Sequence, residues 1–74
     1  MYTFMFYYEN NTFQEFDHII RVEYANAIDE VTVSKDEILK HNFPVNYDMH
    51  LFSENANHTA SSNKLRTISV TKED

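Results

Sequence analysis

Four histidines, His18, His41, His50 and His58, are the side chains best suited to bind a metal or to move a proton near neutral pH. Carboxylates would have to complete any metal site, because the chain has no cysteine. None of the histidines forms a short zinc-type His-x3-His pair, so surface or half-buried histidine is the stronger reading and neither metal nor cofactor is expected. The adjacent acids Asp29-Glu30 and Asp36-Glu37 could act as acid and base if they lined a cleft. Neighbouring acids at turns are ordinarily just solvated, and a domain this small seldom has room for a deep pocket of about 300 Å³ or more. Serines and threonines are plentiful, yet none lies in a Gly-x-Ser-x-Gly setting, and a chain without glycine has no flexible loop to cradle phosphate. These residues point away from an enzyme.

Binding chemistry is better represented. The net charge is −6, and residues 1 to 37 hold eight acids (Glu9, Glu15, Asp17, Glu23, Asp29, Glu30, Asp36, Glu37) against Arg21 and Lys35. Residues 38 to 74 balance four acids against four bases, so all the net charge sits in the first half. An anionic surface repels nucleic acid and anionic membranes and attracts basic partners, although solubility is its commonest use. Lys64, Arg66 and Lys72, with tyrosines to stack on bases, are the residues a nucleic-acid binder would use. Against that, six bases and twelve acids leave no electrostatic footprint for phosphate, and the rings are needed in the core. Tyr7, Tyr8, Tyr24 and Tyr47 cannot all be fully buried in so small a protein, and partly exposed tyrosine is a favoured interface residue. The expected partner-binding set is therefore Tyr7, Glu9, Asp17, Glu23, Asp29, Glu30, Asp36 and Glu37, facing a basic protein surface.

The elements that must position these groups start from a small budget of core. A chain of 74 residues is one domain, 1–74, and buries only about 60% of the surface its unfolded form exposes. Without cysteines no disulfide staples it, and a reducing cytoplasm is its natural home. No targeting segment is visible: the apolar start lacks basic flanks, carries Thr3 and reaches Glu9, which also leaves it far short of a membrane span. Eleven Phe and Tyr residues must supply the core, each ring burying about 150–250 Å². Eight asparagines stand in for the missing glycines at turns, because Asn tolerates left-handed backbone better than other residues do. The residue usage, rich in Asn, Ile, Lys, Phe and Tyr, suits an AT-rich bacterial or phage genome.

Residues 1–8 read as a strand with Tyr2, Phe4, Phe6 and Tyr8 on one face and Thr3, Met5 and Tyr7 on the other. Glu9 to Thr12 is a hairpin turn. Residues 13–25 admit a helix, since Thr12 to Glu15 matches a capping box and Phe13, Phe16, Ile20 and Tyr24 fall at helical spacing. The strand is preferred, because Ile19, Ile20, Val22 and Tyr24 are β-formers, with a bulge near Glu15 to Asp17 keeping Phe13 and Phe16 on the buried side and Ile20, Val22 and Tyr24 sharing a face. Strands follow at 30–34, 38–40, 47–52, 58–61 and 67–71, the one at 38–40 after a tight turn at Ser34 to Glu37 preferred over a helical turn there. Pro44 makes Phe43-Pro44 extended, Ser62 to Leu65 is a tight or 3₁₀ turn, and residues 72–74 form a frayed tail.

About six short strands with no long amphipathic helix predict an all-β fold. It would be a small antiparallel meander curled into a partly open, SH3-like barrel or a compact sandwich; the alternative is α+β with a helix at 13–25. The expected function is a non-catalytic acidic interaction module, in the extreme form an imitation of DNA by which a phage or mobile-element inhibitor blocks a nucleic-acid-binding protein. The alternative is a self-associating structural or accessory protein, a homodimer paired through an exposed edge such as His58 to Ser61.

Overall fold

The period-two aromatic alternation of the first eight residues produces a strand, β1 (Tyr2–Tyr8), in a computed structural model that describes residues 1–74. Phe4 and Phe6 are completely buried and Tyr2 nearly so, while Thr3 and Met5 are half-buried and Tyr7 is exposed. β1 turns at Glu9–Asn11, where Tyr8 O accepts from Asn11 N (3.1 Å) and Thr12 O accepts from Tyr8 N (2.9 Å). Asn11 takes φ 64°, the left-handed geometry that a three-residue hairpin loop requires at its last position.

Residues 13–25 are extended, not helical, and divide at Ile20 into β2 (Phe13–Ile19) and β3 (Arg21–Ala25). β-Branched and aromatic residues fit a pleated surface, and pairing with β1 overrides the helical spacing. The bulge falls at Asp17 and His18, which together oppose Thr3, since Tyr2 faces Ile19 and Phe4 faces Phe16. His18 has φ 61°. The extra residue keeps Phe16 and Ile19, rather than Phe13 and Phe16, on the core side: Phe13 is 59% exposed and Ile19 is completely buried. It is thus Ile19, not Ile20, that shares the buried side with Val22 and Tyr24.

β4 (Glu30–Val33) pairs with β3 and is followed by a 3₁₀ helix, Lys35–Lys40, not by the expected hairpin strand at 38–40. Glu37 N donates to Ser34 O and His41 N to Glu37 O, and Ile38 is the one residue of this turn that plugs the core. Three more strands complete the chain, β5 (Met49–Phe52), β6 (Asn57–Ala60) and β7 (Leu65–Lys72). Within the tail expected to fray at 72–74, two residues are held. Lys72 pairs with Tyr2 inside β7, and Glu73 N donates to Met1 O at 2.9 Å.

Two antiparallel sheets result, β2-β1-β7 and β4-β3-β5-β6, with no closed barrel. They enclose one core of Tyr2, Phe4, Phe6, Ile19, Val22, Tyr24, Val33, Ile38, Met49, Leu51, Ala60 and Leu65, which contains no buried polar side chain. Each fully buried large side chain contributes about 1.5–3 kcal/mol, so both sheets are held by their shared interior. The architecture is the expected small, compact all-β fold. No helix is long and apolar enough to cross a membrane.

Candidate functional site

β3, β4 and the turn between them carry three of the expected acids at one end of the four-stranded sheet. Glu23 points outward because Val22 and Tyr24, its neighbours in the alternation, point into the core. Across the ladder Glu23 opposes Thr32 on β4 and His50 on β5, and His50 opposes Thr59 on β6, so a polar row crosses all four strands. Glu30 faces Ala25 in the next row. A shallow groove of about 400 Å³ runs here, lined by Glu23, Ala25, Glu30, Thr32, Asp48 and His50. Arg21 lies over the Phe52 ring (4.1 Å) and pairs with Glu23 (3.1 Å), a contact between partly exposed groups that adds little stability. The backbone N–H and hydroxyl of Ser62 donate to Asp48 at 2.7 and 2.9 Å and hold its carboxyl below the ordinary value, so Asp48 stays ionised beside the groove.

The β3–β4 turn, Asn26 to Asp29, carries the third acid. Asn26 Oδ1 accepts from Ile28 N (2.8 Å) and Asp29 N (2.7 Å), and Asn26 N donates to Asp29 O (2.9 Å). This self-contained turn holds Ile28 88% exposed. Ile28 rims a second groove of about 360 Å³, whose walls are Tyr24, Tyr47, Pro44, Ala27 and Asn42. Tyr24 and Tyr47 stack with centroids 6.3 Å apart, and Tyr24 Oη lies 2.7 Å from His41 Nε2. The rings continue inward through His41 and Phe43 to Phe4 of the core, which anchors the groove wall to the fold. Burial, then the neighbouring Tyr47, pushes the Tyr24 phenol above its ordinary pKa, so it stays neutral.

Tyr7 and Asp17 belong to the other sheet. Tyr7 opposes Phe13, ring to ring at 6.3 Å, and Met5 opposes Glu15, forming the open face of β2-β1-β7. The hydrogen bond that protonated Glu15 donates to Asp17, together with the Asp17 charge, raises the Glu15 carboxyl above its ordinary value on this edge strand. Where β2 bulges, Glu73 gathers donors from the far end of the chain: Thr3 Oγ1 (2.8 Å), His18 N (2.7 Å) and His18 Nδ1 (2.8 Å). The His18 backbone N–H is the main cause of a Glu73 pKa lowered to about 2.

The eight expected binding residues thus divide. Glu23 and Glu30 line one groove of the four-stranded sheet with Asp29 in the adjoining turn, Tyr7 and Asp17 occupy the three-stranded one, Glu9 lies in the first hairpin loop, and Asp36 and Glu37 open the 3₁₀ helix. The histidines lie apart, His18 on Glu73, His41 on Tyr24, His50 against Thr59 and His58 beside Phe16. Sequence reasoning passed over Ile28 and Pro44. The available signal was an isoleucine inside an Asn–Asp turn, where an apolar side chain has no core to enter. Comparison with known protein families, with characterised proteins and with solved structures finds no match.

Proposed function

We infer that this chain is a non-catalytic interaction module whose acidic surface docks on a basic protein, in the strongest form as a phage or mobile-element inhibitor of a nucleic-acid-binding protein. The observation that carries this reading is that Glu23 and Glu30 line one groove that shares Tyr24 with a second, ring-lined groove, while Asp29 sits in the turn between β3 and β4. Acids at a rim steer a basic partner, and rings at the centre supply the contact area. The remaining acids lie on other elements, so the docking surface is smaller than the full acidic set and the rest of the charge serves solubility.

Cross-linking at low ionic strength tests it. A basic protein should be captured, and lost near 1 M salt, where the Debye length is about 3 Å. The triple variant Glu23→Gln, Asp29→Asn, Glu30→Gln should capture less, while the single change Glu37→Gln on the 3₁₀ helix should not. Failure to capture any basic partner at low salt removes the reading.

A second reading, self-association through an edge strand, is favoured by one observation: β6 (Asn57–Ala60) lies at the edge of its sheet. Pairing of two β6 edges would respond little to salt, and a monomer in sedimentation at high concentration excludes it.

A further inference from the structure

We propose that the groove between Tyr24, Tyr47, Pro44 and Ile28 binds an extended, proline-containing peptide segment whose basic flank lies against Asp29, Glu30 and Glu23. This rests on the acidic-docking reading and specifies its partner. Four observations carry it.

The first is shape: the groove is shallow, about 360 Å³, and too open to enclose a compact ligand, whereas a single extended chain can lie along it. The second is its lining. Pro44 and Tyr47, the latter backed by the stacked and buried Tyr24 ring, offer flat apolar walls, the surface on which polyproline-type segments pack their rings. The third concerns hydrogen bonds. A polyproline segment has no internal hydrogen bonds and few N–H groups, so its carbonyls need donors from the partner. Asn26 and Asn42 stand at the groove, and because the turn occupies Asn26 Oδ1, the Asn26 NH₂ remains as a donor for them.

The fourth is charge and preorganisation. Glu23 and Glu30 line the neighbouring groove, which shares Tyr24 with the apolar one, and Asp29 follows Ile28 directly in the chain, so carboxylates lie next to the apolar groove rather than in it. Lysine or arginine beside the proline would meet them, whereas an acidic segment would be repelled. Ile28 gains nothing in the fold at 88% exposure, yet three hydrogen bonds fix the turn that displays it. An apolar contact held rigid before binding loses little entropy on binding.

The test uses backbone-amide NMR shifts of the whole chain titrated with three synthetic peptides at low salt. One is Leu-Pro-Pro-Leu-Pro-Lys-Arg-Lys, the second has alanine at each proline, and the third is octalysine. The proline peptide should saturate with shifts clustered on residues 23–30 and 42–47, and the alanine peptide should bind about tenfold more weakly. Ile28→Ala and Tyr47→Ala should each weaken the proline peptide about tenfold while leaving the dispersed strand signals in place. Since Ile28 is outside the core, its variant folds whatever the groove does. If octalysine binds as well as the proline peptide, with shifts spread over all the acids, the proposal is overturned and acidic docking stands. If no peptide shifts residues 23–30, both fall.

Discussion

The carboxylate of Glu73 accepts hydrogen bonds from Thr3, from the His18 backbone and from the His18 ring, and thereby ties the last residues of the chain to the bulge in β2. Its pKa falls from 4.5 to about 2 because these donors favour the ionised form. A carboxyl depressed in the folded state stabilises fully above its unfolded value, and that stabilisation is lost as pH falls through the folded one. Glu73→Gln should therefore be less stable than the parent chain at pH 6. The difference in thermal midpoint should narrow from about pH 4.5 downward and vanish only below about pH 2. A pair of melting curves at each pH checks this. None of it could be read from the sequence. A Glu-Asp ending looks like solvated charge until pairing of β7 with β1 carries it to Thr3 and His18, 70 and 55 residues away.

At the level of elements, the turns are made without glycine, and three residues take the left-handed backbone: Asn11, His18 and Lys64. Asn11 was legible, because asparagine tolerates that region. Lys64, at φ 61° in the turn before β7, was not, since lysine has no such tolerance and is held there by Leu65 N bonding to Ser62 O. Left-handed geometry costs a non-glycine residue about 1–2 kcal/mol, and glycine gives back about 0.5–1 kcal/mol in unfolded-state entropy. Lys64→Gly should accordingly stabilise the chain by about 0.5–1 kcal/mol in urea denaturation. Strands with strict alternation were legible to the residue: Tyr2, Phe4 and Phe6, Val22 and Tyr24, Met49 and Leu51 all point inward as their pattern requires. Ser34 to Lys40 was not, because so short a segment satisfies a turn-and-strand and a helical reading equally, and only the burial of Ile38 between the sheets decides. The candidate site was half legible. Its acids stood out by charge, while the groove between Tyr24, Pro44 and Tyr47 exists only after folding.

For the whole molecule, stability rests on a core that has no spare parts. A domain of this length has about 4–11 kcal/mol in total. Phe4 is completely buried, bridging Phe6 of its own strand and Phe43 of the aromatic wall, and its truncation to alanine costs about 3–5 kcal/mol. Phe4→Ala should lower Tm by roughly 12–40 °C, whereas Ile28→Ala, at the exposed turn, should stay within about 0.5 kcal/mol of the parent. Calorimetry of both variants separates core from surface. The chain crosses between the sheets twice, through residues 61–64 from β6 to β7 and through the single residue Ile20 from β2 to β3, and the Ile20 N–H donates to Phe52 O at 2.8 Å. With a one-residue crossing at this point, β2 and β3 should open together, and the amide hydrogen of Ile20 should exchange with solvent only when the entire chain unfolds.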